Sequence, residues 1–96
     1  MNELGDYGDE ELRAQLHRVA EWIADYKATI EERPIAPQVA PGEIAAGFAP
    51  RAPALGVPMD EVMRELDALI VPGIVHWGHP AFLGYFGSAS NSPALL

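Results

Sequence analysis

Residues 68–96 contain no Asp, Glu, Lys or Arg. Charged side chains are what normally cover a solvated surface, so a segment this long without them is expected to lie against other protein. The charge sits upstream: nine acids and four bases in residues 1–33, five acids and two bases in residues 34–67. The net balance of −8 disfavours nucleic acid and anionic lipid, because both are held mainly through cationic side chains. Neither nucleic acid nor membrane is expected as a partner. With no cysteine, there is no disulfide framework and no thiolate metal site.

The first 33 residues read as one long helix. Gly8 or Asp9 opens it, and Asp9, Glu10 and Glu11 fill the first turn, where the helix dipole favours anions. Leu12, Leu16, Val19, Ile23, Tyr26 and Ile30 recur at spacings of four and three, and Pro34 ends the pattern. Such a helix would be about 35 Å long at about 1.5 Å per residue. Its narrow apolar stripe suits another helix, the same helix of a second chain included.

Residues 34–58 read as a proline-rich extended strap, punctuated by Pro34, Pro37, Pro41, Pro50, Pro53 and Pro58. Each proline removes a donor and biases its predecessor away from helix. Ile35, Val39, Ile44 and Phe48 are spaced to anchor it across a larger body; a disordered linker is the alternative. A second helix is expected from Met59 to Ile70, with Val62, Met63, Leu66, Leu69 and Ile70 as its buried stripe and Pro72-Gly73 as its stop. The fold class is mainly α, and residues 59–96 combine the second helix with an irregular aromatic and glycine-rich segment.

That segment holds the candidate chemistry. His76 and His79 form an H-x-x-H pair, but Gly78 and Pro80 oppose a helix there and no third ligand accompanies them. Packed or hydrogen-bonded rings are the better reading, and no metal is expected. Trp77, Phe82, Tyr85 and Phe86 are either core or the wall of a pocket for a flat substrate, with Tyr85 as a polar handle. Phe82, Leu83, Tyr85 and Phe86 would make a short strand or turn. Ser88, Ser90 and Ser92 could hold an anion or simply cap and turn the chain, and Ser88 is the better functional candidate. Asn91 is a good N-cap before Pro93. No base accompanies any serine at a recognisable spacing, so no catalytic nucleophile is indicated.

The stretch Pro72-Gly73, His76-Trp77, Pro80, Phe82, Tyr85-Phe86, Ser88, Ser90 and Pro93 resembles a signature of the group II pyridoxal-phosphate-dependent decarboxylases, PG-x-x-HW-x-x-P-x-F-x-x-YF-x-[TS]-x-S-x-x-P. The aromatic-L-amino-acid decarboxylase branch is the nearest in look. The resemblance extends upstream through the V-x-PG of Val39 to Gly42 to the long first helix.

It implies the N-terminal part of a fold-type I enzyme. Residues 1–33 would be a dimerisation helix and 34–58 the strap, while 59–96 would lead into a large cofactor domain that completes the protein. Expected partners are an amino-acid substrate, of the aromatic class, and a homodimer partner or a separately encoded cofactor domain, in the cytoplasm. By position Ser88, Tyr85 and Trp77 would face the substrate. Gly87 stands where aromatic-acid enzymes often carry proline, which leaves the particular substrate open. The Schiff-base lysine that pyridoxal phosphate requires would belong to the large domain, so no catalytic or cofactor-binding residue is expected in this chain, and it should be inactive alone. A helical interaction module without enzymatic role is the alternative.

Overall fold

The computed structural model describes residues 5–84 and 91–96. Its longest element is α1, Asp9–Thr29, extended by a 3-10 turn at Ile30–Glu32 and stopped before Pro34. The three acids of its first turn and Lys27 in its last complement the helix dipole. Along the apolar stripe the two ends differ. Val19, Ile23, Tyr26 and Ile30 are half-buried, whereas Leu12 and Leu16 are 47% and 61% exposed.

The strap is not wholly irregular, as its prolines suggested. It contains a short helix, α2, at Glu43–Gly47. Ala40-Pro41-Gly42-Glu43 makes a type II turn: Glu43 N–H donates to the Ala40 carbonyl at 3.1 Å, and Gly42 takes the positive φ of 84° that the third turn position demands. The Glu43 carboxylate reaches back to accept from Ala40 N–H at 2.7 Å, which fixes the helix start. The remainder of the strap, between Phe48 and Pro58, has no regular element.

The second helix forms where expected, in modified geometry. Helix α3 spans Met59–Glu65, widens into a π-helical turn at Leu66–Ile70 and closes with a 3-10 turn at Val71–Gly73. The helical run thus ends at Pro72-Gly73, and Val71 is carried into the interior. Helix α1 is tied to it by two polar contacts. Trp22 Nε1 donates to Asp67 at 2.8 Å, and Arg18 lies 3.7 Å from Asp60. Both are exposed, and such a surface ion pair contributes at most about 1 kcal/mol. No strand occurs among the described residues.

The arrangement is open. Its radius of gyration is 16.3 Å, against about 12.5 Å for a compact domain of this length. Among the described residues, Val71 and His76 are the only fully buried ones, at 3% and 4% exposure. The described residues therefore form a packed junction rather than a core, and that junction joins the end of α1 to the aromatic segment.

Candidate functional site

From Val71 to Phe82 the chain folds as consecutive tight turns, pinned at two points to the C-terminal end of α1. The first pin is His76. Its main-chain N–H donates to the Ile35 carbonyl at 2.9 Å, and its ring Nδ1 lies 2.7 Å from the Tyr26 hydroxyl. The second pin is His79. Ala81 N–H donates to His79 Nδ1 at 3.0 Å, and the ring Nε2 lies 3.3 Å from the Glu31 carbonyl. The turn between the pins closes through His79 N–H on the His76 carbonyl, at 3.0 Å, and Phe82 N–H on the His79 carbonyl, at 2.9 Å. Helix α1 comes so near that a Cβ at Gly78 would stand 3.2 Å from Ile30 Cδ1. A larger residue there would require the Ile30 side chain to give by a few tenths of an ångström.

Tyr26 is held from several sides. Trp22 stacks on it at 5.4 Å between centroids and 10° between planes, and the Arg33 guanidinium sits 5.4 Å from its ring centroid, in reach of a cation–π attraction. Trp22, Tyr26 and His76 form a row of rings, with Arg33 beside the middle one.

His76 is held neutral. Burial lowers its pKa below 6.5, and the charges of Arg33 and His79 push the same way, while a hydrogen bond with the Val71 backbone partly opposes them. The neutral ring can accept the Tyr26 O–H at Nδ1. Because the folded pKa lies below the unfolded one, the unfolded chain binds more protons as pH falls. Stability is then fully present above pH 6.5 and declines as pH drops toward the folded value. We expect the urea midpoint to be level between about pH 7 and 8 and to fall as the pH drops below 6.5. His76→Asn, which cannot titrate, should remove most of that decline; an equal decline in the variant would refute the assignment to His76.

Beside this buried histidine stands the exposed Trp77. It is 59% exposed and stacks on Phe82 at 5.6 Å with 12° between the ring planes. Together they make an aromatic platform, with Phe82 half-buried, on a turn closed by backbone hydrogen bonds. The hollow of about 210 Å³ lined by Arg33, Ala36, Val39, Val71, Ile74 and His76 does not include Trp77. Of the three residues expected to face a substrate, only Trp77 is placed; Tyr85 and Ser88 lie outside the described residues. Beyond them, Asn91 accepts from Ala94 N–H at 3.0 Å and caps the turn Ser92–Leu95, with Pro93 inside its first turn. Among the described residues, no group of three or more His, Asp or Glu could hold a metal ion.

No family model matches the chain, but individual proteins do. The aromatic-L-amino-acid decarboxylase of Rattus norvegicus is 37% identical over 86 residues, which are 90% of this chain and 18% of that protein. A crystal structure of Oryza sativa TDC with PLP and tryptamine superimposes with a TM-score of 0.85 at 30% identity, over 99% of this chain and 19% of the other. The Rhodiola rosea 4-hydroxyphenylacetaldehyde synthase structure gives 0.84 at 33% identity, over 92% of this chain and 19% of the other. The chain thus spans under a fifth of the length of the proteins it matches.

Pyridoxal phosphate chemistry needs a lysine amine for the cofactor aldehyde and an acid beside the pyridine nitrogen. Lys27, the single lysine, lies on α1 and lines a groove with Ala20, Ile23, Ala24, Ala28 and Leu95. The described residues do not, by themselves, fit that cofactor.

Proposed function

The chain is related over nine-tenths of its length to the N-terminal segment of the group II pyridoxal-phosphate-dependent decarboxylases, and from that relation we propose that it supplies dimer contacts and part of the substrate wall of such an enzyme. Residues 1–33 are the dimer helix, 34–58 the strap, and 59–96 the segment that reaches the substrate. Trp77, Tyr85 and Ser88 face an aromatic amino acid in a cytoplasmic homodimer. Pyridoxal phosphate is held by a large domain, and it supplies the electron sink for loss of the carboxyl group. This chain binds and orients the substrate ring.

One observation carries the reading: Trp77, stacked on the half-buried Phe82, is exposed, yet the turn beneath it is pinned at His76 and His79. A mobile exposed tryptophan would be a liability, whereas a rigid one is a preorganised surface for a flat ring. The test is an assay of the enzyme that contains this segment and its cofactor domain. Aromatic L-amino acids should release carbon dioxide and yield the amine, and the 96-residue chain alone should release none. Trp77→Ala should raise KM about tenfold, the loss of roughly one aromatic contact. Aldehyde in place of amine would instead favour the synthase chemistry for which the Rhodiola rosea relative is named. No turnover of any aromatic amino acid would overturn the proposal.

A further inference from the structure

We propose that Tyr26 and His76 act as a positioning pair, through which α1 sets the orientation of the Trp77–Phe82 platform. The inference rests on the substrate-wall reading above and adds to it two residues that act through Trp77.

The geometry runs in one direction. Tyr26 belongs to α1 and is clamped by Trp22 on one side and Arg33 on another. Its hydroxyl meets His76 Nδ1 at 2.7 Å. The His76 backbone is in turn fixed by its N–H on Ile35 and by the His79 N–H on its carbonyl. Trp77 is the next residue, and its own N–H turns back to the Val75 carbonyl at 3.1 Å. With the imidazole buried and its neighbour more than half exposed, rotation of the His76 side chain would tilt the turn that carries the platform. Phe82 follows, because its N–H is bound within the same series of turns.

A purely packing role would be served by Phe at position 26 and Leu at 76. The polar pair instead specifies one orientation, since a buried ring nitrogen without its partner is costly. The pair also faces charge. Arg33 lies over the tyrosine, and Arg33 and His79 both act on the His76 imidazole, while the Val71 backbone bonds to it. A proton on Nδ1 reverses the hydrogen bond, so that the Tyr26 oxygen must accept and its own proton loses its partner. The platform should therefore loosen in acid.

The experiment uses the holoenzyme containing this segment. Tyr26→Phe retains the ring and removes the hydroxyl; KM for the aromatic amino acid should rise about three- to tenfold with kcat changed less than about twofold. His76→Leu should do the same. His76→Asn places an amide oxygen where Nδ1 stood and should restore KM at about pH 8, while abolishing the rise in KM that the parent shows below about pH 6.5. Arg18→Gln is the structural control, because it removes a tie between α1 and α3 without touching Trp22, Tyr26 or His76. If Arg18→Gln raises KM as much as Tyr26→Phe, or if His76→Asn keeps the parent's pH profile, the positioning role is overturned. Should Tyr26→Phe fail to fold, the His76→Asn pH profile decides. If Trp77→Ala leaves KM unchanged, the substrate-wall reading itself fails. If it raises KM but Tyr26→Phe does not, only the positioning pair is wrong.

Discussion

Val71→Asp is expected to unfold the junction between α1 and the aromatic turn. Val71 is the only fully buried hydrophobic residue among those described, at 3% exposure. It stands where the π-helical turn ends and the 3-10 turn begins. An ionised carboxylate there has no designed partner, and breaking a buried site with an uncompensated charge costs about 3–5 kcal/mol. Whole domains are stable by only about 5–15 kcal/mol, so the loss removes much of what holds this segment. Val71→Ala should cost less, about 1–2 kcal/mol, by leaving a small cavity. Leu83→Asp is the matched control: Leu83 is 93% exposed, and its effect should stay within about 0.5 kcal/mol. Urea unfolding followed by circular dichroism gives the ranking. Equal midpoints for Val71→Asp and Leu83→Asp would show that the junction is not where the segment's stability resides.

What could be read in the sequence was whatever depends on neighbours along the chain. Helix α1 was legible because its stripe repeats for five turns, and its end was legible at Pro34. The cap at Asn91 and the stop at Pro72-Gly73 were legible for the same reason: a cap is a local hydrogen bond between near residues. Helix α2 was not. It has five residues, too few for a period to show, and its start depends on the Glu43 carboxylate returning to Ala40. Nor was the widening of α3 at Leu66–Ile70, which leaves the apolar spacing intact. The junction was the least visible feature. Tyr26 read only as one more stripe residue, and nothing in spacing links it to a histidine fifty positions away. Trp22 fell outside the stripe, yet it stacks on Tyr26 and bonds Asp67. The motif around His76 and Trp77 marked this turn without showing which of the two residues faces inward.

Leu12→Asp with Leu16→Asp is expected to dissociate the dimer proposed for the enzyme, while leaving the junction folded. Both leucines belong to the α1 stripe, but this chain covers only its C-terminal half. If the bare half is the dimer contact, each leucine buries an apolar side chain worth about 2 kcal/mol, and each aspartate adds a desolvation cost. Together they should weaken association by at least about a thousandfold, the equivalent of about 4 kcal/mol. Sedimentation of the holoenzyme across a dilution series would measure this. The urea midpoint of the isolated chain should change little, because neither leucine is buried within it. A double variant that remains dimeric at the parent's concentrations would show that α1 presents this face to something other than a second copy. There is a further consequence for the parent protein. Helix α1 is one continuous rod whose far end holds Tyr26 against His76. If the partner steadies that rod, dilution below the dissociation constant should raise KM as Tyr26→Phe does, and a KM independent of dimer content would separate the two ends of the helix.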